Sequence, residues 1–258
     1  MRARVLLGDY MKNKIDNSIF LDFSKPLSYN AFLTFIITER GLGKSYGAKK
    51  FVAKRFINKH KQFVYLRRYK TELKEATYKK GCPSFWNQIS NDPELKGHKF
   101  TNTKDTMSID GEIAGFGMPL SIANILKSST YENVDTIIFD EFLITRSTYH
   151  YLPNEIIQFA ELLETIIRLR PNIKILLLGN AISVSNPYFD FFGLTLPYKN
   201  QYKTFKNNLI LVTYSKNEKY QEAIIYCEEL LETNAIYREV YEAQNSGNGD
   251  FDEIGGEA

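Results

Sequence analysis

Eight residues, Thr38-Glu39-Arg40-Gly41-Leu42-Gly43-Lys44-Ser45, separate two runs of opposite character. Before them lies Phe32–Ile37, rich in β-branched and aromatic residues; after them Tyr46–Ile57 carries apolar residues at helical spacing and no Pro. Strand, glycine loop and helix in that order is the context a phosphate-binding loop requires. Gly41 and Gly43 let the backbone curl so that successive N–H groups face a phosphate, and the helix from Tyr46 adds the positive end of its dipole. Lys44 can reach the β- and γ-phosphates as a point charge, and the Ser45 hydroxyl can ligate Mg²⁺. One position departs from the G-x-x-x-x-G-K-[ST] pattern: Thr38 stands where the first glycine is expected, so the opening turn has to accept a Cβ. Residues Thr38 through Tyr46 are thus the expected cradle of a nucleoside triphosphate.

A second chemical pair follows the apolar run Val134–Phe139, namely Asp140-Glu141. A carboxylate at a strand end can hold Mg²⁺ beside Ser45, and an adjacent glutamate can polarise water for attack on the γ-phosphate. That combination points to ATP hydrolysis. A small-molecule kinase would need an acceptor site and an Arg-rich lid that the sequence scarcely offers. Asn180, after Ile175–Gly179, can contact the γ-phosphate or the attacking water, or can serve as an ordinary turn residue. An arginine delivered to the developing charge is worth about 10³–10⁵ in rate. Arg40 within the loop could act in cis, Arg146 lies in the loop after Asp140-Glu141, and Arg168 and Arg170 suit a helix C-terminus.

These groups need elements to position them. Strands are expected at Ser18–Phe23, Phe32–Ile37, Gln62–Arg67, Val134–Phe139, Ile173–Leu178 and Leu209–Val212. A hairpin, Thr106–Ile109 with Glu112–Phe116, turns at Asp110-Gly111. Helices are expected after Thr71, over Pro153–Leu169 and within Asn217–Ala243, with a loop around Gly81–Pro83. Apolar strands alternating with helices imply an α/β fold with a mostly parallel central sheet and helices on both faces. Ligands bind such sheets at the carboxyl ends of the strands, where the glycine loop, Asp140-Glu141 and Asn180 would converge. The organisation reads as an ATPase domain over 1–205, a strand and helical linker over 206–243, and a Gly-rich acidic tail over 244–258.

Bulk composition sets few further limits. A net charge of +3 permits nucleic-acid contact without requiring it. Lys49, Lys50, Lys54, Arg55, Lys59, His60 and Lys61 crowd the helix after the loop, and Lys79, Lys80, Lys96 and Lys99 follow. They form either a DNA footprint or a solvated face. The 17 Tyr and 18 Phe suit packing better than a base-stacking platform. Cys82 and Cys227 lie far apart with no metal-ligand spacing and read as reduced rather than bridged, which suits a cytoplasm, and no apolar run reaches the length of a membrane span.

The motifs RGLGKS, QFVYLRRYKTEL, IDGEIAG followed by MPLS, TIIFDEF, YLPNE and LGNAISVSNPYF, in this order over roughly residues 25–200, resemble the DNA packaging (encapsidation) ATPases of phi29-like tailed phages. The resemblance implies a P-loop NTPase of the additional-strand catalytic-glutamate type. It implies a homomeric ring at the portal of a procapsid in the host cytoplasm, translocating double-stranded DNA with ATP and Mg²⁺. It assigns Lys44 and Ser45 to phosphate and Mg²⁺, Asp140 to Mg²⁺, Glu141 to the catalytic base and Arg146 to an arginine offered in trans. Family members continue into a nuclease-like domain, so the expectation here is the ATPase domain with its linker, monomeric and slow when isolated. A helicase-like ATPase, revealed by strand unwinding, and a nucleotide-binding ring component without turnover, excluded by phosphate release, are the alternatives.

Overall fold

The structure, a computed structural model, describes residues 21–122, 131–144, 150–168, 170–181, 186–199 and 201–216. The chain divides into two units, Leu21–Lys216 and a second formed by Met1–Phe20 with Asn217–Ala258. Every described residue belongs to the first. Arg146, Cys227, the helices expected over Asn217–Ala243 and the Gly-rich tail lie outside the described residues, as does most of the strand expected at Ser18–Phe23. The described end of that strand, Leu21–Phe23, is not extended pairing but the approach to a short helix, α1 (Ser24–Ser28).

The elements that frame the site follow in chain order. They are β1 (Leu33–Thr38), α2 (Lys44–Lys59), β2 (Gln62–Arg67), α3 (Lys70–Thr77) and the short ladder of β3 (Tyr78–Lys79) with β4 (Cys82–Pro83). Next come β5 (Phe100–Asn102), β6 (Thr106–Ile109), β7 (Glu112–Pro119), β8 (Val134–Asp140), α4 (Glu155–Ile167), β9 (Lys174–Asn180), α5 (Pro187–Phe192), β10 (Gln201–Phe205) and β11 (Ile210–Ser215). Nine strands form one sheet in the order β10-β11-β1-β9-β8-β2-β7-β6-β5. From β11 to β7 neighbours run parallel, and antiparallel strands close both sides. β9 therefore lies between the strand that feeds the glycine loop and the strand that ends in Asp140.

Alternation along each central strand divides the core in two. Phe35, Val64, Leu66, Ile137, Phe139, Ile175 and Leu177 pack with α4 and α5 on one face. Ile36, Phe63, Tyr65, Ile138, Leu176 and Leu178 pack with α2, α3 and the 3₁₀ turn Phe85–Gln88 on the other. A strand covered on both faces must be apolar at every position, which is why these strands read as continuous hydrophobic runs. The aromatics are spent here: Phe35, Phe63, Phe85, Phe139, Phe142 and Tyr188 are all buried.

Several boundaries move. Thr38 belongs to β1, helix α2 begins two residues earlier than expected, at Lys44, and β9 runs on through Gly179 and Asn180. Pro153 precedes α4 rather than opening it; Asn154, in a left-handed conformation, is the N-cap. The segment expected as a loop at Gly81–Pro83 contains the β3–β4 ladder, with left-handed Lys80 and Gly81 at its turn. Strands β5 and β10 and helix α5 have no counterpart in the sequence reading. The Asp110-Gly111 hairpin forms with both residues left-handed, as the tight turn requires.

Gly179 has a packing reason to be glycine. A Cβ there would come within 2.8 Å of the Phe142 ring and 2.9 Å of Leu143 Cδ1. Those two residues carry the chain away from Asp140-Glu141 across the end of β9, with the Phe142 amide donating to the Leu178 carbonyl at 3.2 Å. Gly179→Ala should therefore lower stability by about 1–3 kcal/mol, the usual cost of overpacking. Urea denaturation measures it, and an unchanged midpoint would show that Phe142 and Leu143 yield without cost.

Candidate active site

The glycine loop is built by its neighbours. Thr38 is fully buried as the last residue of β1, opposite Asn180 of β9, and its carbonyl accepts from the Ala181 amide at 3.0 Å. Left-handed backbone falls instead at Gly41 (φ 91°) and Gly43 (φ 79°). Position 38 is strand, so it needs no left-handed backbone and a Cβ is accommodated there. Leu42 is buried and its carbonyl accepts from the Leu21 amide at 3.0 Å, which pins the middle of the loop. Glu39 forms an ion pair with Lys216 at 3.1 Å. Arg40 is exposed, and Tyr46, at the loop's far end, donates its hydroxyl to Asp92.

Lys44 and Ser45 occupy the first two positions of α2, after a Gly43 N-cap. The Lys44 ammonium is buried and donates to Asn180 Oδ1. Burial lowers its pKa, with Asp140 and Glu141 opposing the effect and Arg40 adding to it. Ser45 Oγ donates to Asp140 Oδ1 at 3.2 Å, and the Tyr65 hydroxyl donates to Asp140 Oδ2 at 2.9 Å. Four residues expected from sequence to act together, Lys44, Ser45, Asp140 and Asn180, therefore meet at one edge of the sheet.

Glu141 follows in a left-handed conformation (φ 58°), and its side chain is 46% exposed. It meets a partner the sequence reading passed over: Arg67 Nη2 donates to Glu141 Oε2 at 2.6 Å. Arg67 also lies 4.0 Å from both Asp140 and Glu72. Burial alone would lower the pKa of this guanidinium, but Tyr65, Asp140, Glu141 and Glu72 outweigh it and push the value up. The signal was present in Gln62–Arg67, whose alternation puts Phe63, Tyr65 and Arg67 on the α2 face at the carboxyl edge. A cavity of about 780 Å³ opens here, with Arg40, Ser45, Lys49, Arg67, Asp140 and Glu141 in its wall.

The remaining cations separate by location. Arg170 caps the end of α4 and donates to the Glu132 and Val134 carbonyls at 2.6 Å each. Val134 begins β8, so Arg170 stands at the opposite edge from Asp140. The crowded cations of α2 are largely engaged: Lys50 with Asp92 and Glu94, Lys54 with Glu94, and Arg55 with Asp135. The Asp110-Gly111 turn precedes β7 and so also lies at the edge away from the site, with Asp110 Oδ2 2.6 Å from His98 Nδ1. Among the described residues no group of three or more His, Cys, Asp or Glu could hold a metal by itself, and no helix is long and apolar enough to cross a membrane.

Lys49 is buried, not a surface cation, and donates to the Phe85 carbonyl and Gln88 Oε1 at 3.0 Å each. Burial lowers its pKa from 10.5 to about 8, against the pull of Asp140. The unfolded chain keeps this proton up to about pH 10.5, the folded one only to about 8. Between those values the unfolded state binds more protons, so stability rises with pH across that window. Relative to Lys49→Met, the wild type should gain on the order of 3 kcal/mol between pH 7 and 10.5. Urea denaturation across that range checks it; a constant difference would mean that Lys49 titrates as it does in water.

Comparison with known proteins places the chain in a family. The family described as podovirus DNA encapsidation protein (Gp16) matches residues 15–233. The DNA packaging protein of Bacillus phage phi29 is 37% identical over 196 residues, 76% of this chain and 57% of the relative. That of Bacillus phage B103 is 40% identical over 191 residues, 74% of this chain and 57% of the relative. This chain thus spans little more than half the length of these relatives. Among solved structures, the N-terminal domain of the DNA packaging ATPase from bacteriophage phi29 superposes with a TM-score of 0.67 at 36% identity, over 76% of this chain and 95% of that one. The Phi-28 gp11 DNA packaging motor shares the fold, with a TM-score of 0.65 at 22% identity, over 79% of this chain and 61% of that one. With the family matched along most of its length, the chain belongs to the podovirus DNA encapsidation proteins.

Proposed function

We propose that this chain is the ATP-hydrolysing domain of a motor that drives double-stranded DNA into a viral procapsid. The observation that carries the reading is the meeting of Lys44, Ser45, Asp140 and Asn180 at one sheet edge, with Glu141 next in line, in a DNA encapsidation protein. The position of β9 between β1 and β8 supports the additional-strand catalytic-glutamate class of P-loop ATPases. The donor sets fit the ligands. Gly41 and Gly43 give the loop the backbone turns that aim N–H groups at phosphate, and Ser45 with Asp140 offers the oxygen ligands that Mg²⁺ prefers. Bound there, Mg²⁺ would neutralise charge on the β- and γ-phosphate oxygens.

In this reading Lys44 holds the β- and γ-phosphates and Glu141 accepts the proton of the attacking water. Asn180, already in contact with Lys44, orients the γ-phosphate or that water. Arg40, in the cavity wall, is available in cis. Arg146 is proposed to serve a neighbouring subunit in a homomeric ring docked at the procapsid portal. The relatives' description as DNA packaging proteins, and the phi29 packaging motor assembly among the structural matches, support the partners: double-stranded DNA, portal and further copies of the chain.

Glu141→Gln should keep ATP affinity within a few-fold of wild type while phosphate release falls about 10²- to 10⁴-fold, the scale of a general base. Normal turnover in that variant would remove Glu141 from the role. A wild type that binds ATP without releasing phosphate would instead point to a nucleotide-binding ring component. Sharing between subunits has its own test: wild-type ATPase rate should rise faster than linearly with protein concentration. Arg146→Ala mixed with Glu141→Gln should recover part of the activity that each lacks alone. Strict proportionality and no recovery would mean that each subunit works by itself.

A further inference from the structure

Two of the sequence motifs are not used by the chemistry above: the second arginine of the run Gln62–Leu73, and Tyr151–Glu155. The structure brings them together. Arg68 and Glu155 form a buried ion pair in which each side chain is 1% exposed. Arg68 Nε and Nη2 donate to the two Glu155 carboxylate oxygens at 2.8 and 3.0 Å. The same guanidinium reaches the chain leaving the site: Nη2 donates to the Phe142 carbonyl at 2.6 Å and Nη1 to the Glu141 carbonyl at 3.4 Å. Glu155 holds the chain returning toward α4 by accepting from the Leu152 amide at 2.8 Å, and it also accepts from the Tyr188 hydroxyl at 2.7 Å. Next to Arg68, the Tyr69 hydroxyl donates to the His150 carbonyl at 2.9 Å.

We propose that the Arg68–Glu155 pair is the positioning device of this site: it fixes the backbone of Glu141 in the left-handed turn that directs its carboxylate into the cavity. The inference rests on the reading of Glu141 as the base. A non-glycine residue at φ 58° persists only where its surroundings over-determine it. Here the Phe142 amide is tied to Leu178 on one side, and Arg68 grips the two carbonyls on the other. Stability is a poor explanation for the pair. A buried ion pair can be replaced by apolar residues of similar volume with little loss, and the surroundings include the Phe139 and Tyr151 rings. What an apolar pair cannot do is donate to the Glu141 and Phe142 carbonyls. A lysine could not do it either, since one ammonium cannot serve two carbonyls and both carboxylate oxygens in fork geometry.

The test is a double variant, Arg68→Met with Glu155→Leu, compared with Arg68→Lys, Glu141→Gln and wild type. Melting, binding of a fluorescent ATP analogue and single-turnover phosphate release are followed for each. The double variant leaves the buried Tyr188 hydroxyl and the Leu152 amide without Glu155, so it should melt lower than wild type. It should yet stay folded at the assay temperature and bind nucleotide within about threefold. Its turnover should fall about 10- to 100-fold, the scale of an ångström-level misplacement. Arg68→Lys should fall by a smaller factor at unchanged affinity, and it carries the test if the double variant does not fold. Added to Glu141→Gln, the double substitution should cause no further loss, because its effect passes through that carboxylate. Wild-type turnover in the double variant, an equal loss of affinity, or an additive loss beside Glu141→Gln would each overturn the proposal while leaving Glu141 as the base. Normal phosphate release by Glu141→Gln alone would overturn the reading of the base and this inference with it.

Discussion

The site depends on the hydrogen-bonded register of three parallel strands. β1 and β9 align Thr38 with Asn180, and β8 and β9 align Asp140 with Leu178. A slip of one residue in either pairing would exchange the two faces of a strand, moving its α2-side residues toward α4. Such a slip is opposed on both faces at once, because residues alternate between two separate apolar clusters. The core thus does more than hold the sheet together. It fixes where the strands end, and Lys44, Ser45, Asp140, Glu141 and Asn180 stand at or just beyond those ends.

One backbone reversal then gives two adjacent carboxylates different surroundings. Asp140 is the last residue of β8, buried on the α2 side between Ser45 and the Tyr65 hydroxyl. Had the strand continued, Glu141 would have pointed to the opposite face, toward α4. The left-handed turn at Glu141 instead leaves its carboxylate half-exposed against Arg67, on the same cavity wall as Asp140. A buried acid with fixed donors suits a metal ligand, and an accessible acid beside water suits a base, so neighbouring positions acquire distinct capacities. Gly179 belongs to the same device, because the chain leaving Glu141 crosses where a Cβ would stand.

Much of this was legible in the sequence because the relevant signals are local. A glycine loop between a strand and a helix, an acid pair after an apolar run and Asp110-Gly111 between alternating segments each identify themselves within about ten residues. Other elements lacked a local signature. β10 is polar (QYKTF) because it is an edge strand with little burial, so no hydrophobic pattern marks it. Helix α5 is six residues held by an Asn186 cap and a Pro, too short for periodicity to register. At the site, Thr38 looked like a defect only while the strand was expected to stop at Ile37. Arg67, Arg68 and Glu155 were visible as residue types, but their partners are distant in sequence, and only the sheet order brings them together.

The cations of α2 show why charge composition and charge available for binding are different quantities. Binding to a nucleic-acid backbone draws on counterion release by cations that reach phosphate. Lys50, Lys54 and Arg55 already face Asp92, Glu94 and Asp135, while Lys49 is turned inward against Phe85 and Gln88. A phosphate approaching Lys50, Lys54 or Arg55 meets an acid already paired with it. Lys50, Lys54 and Arg55 thereby tie α2 to the 3₁₀ turn Pro93–Leu95 and to the start of β8. These three pairs help to hold the helix that carries Lys44 and Ser45 at the edge of the sheet.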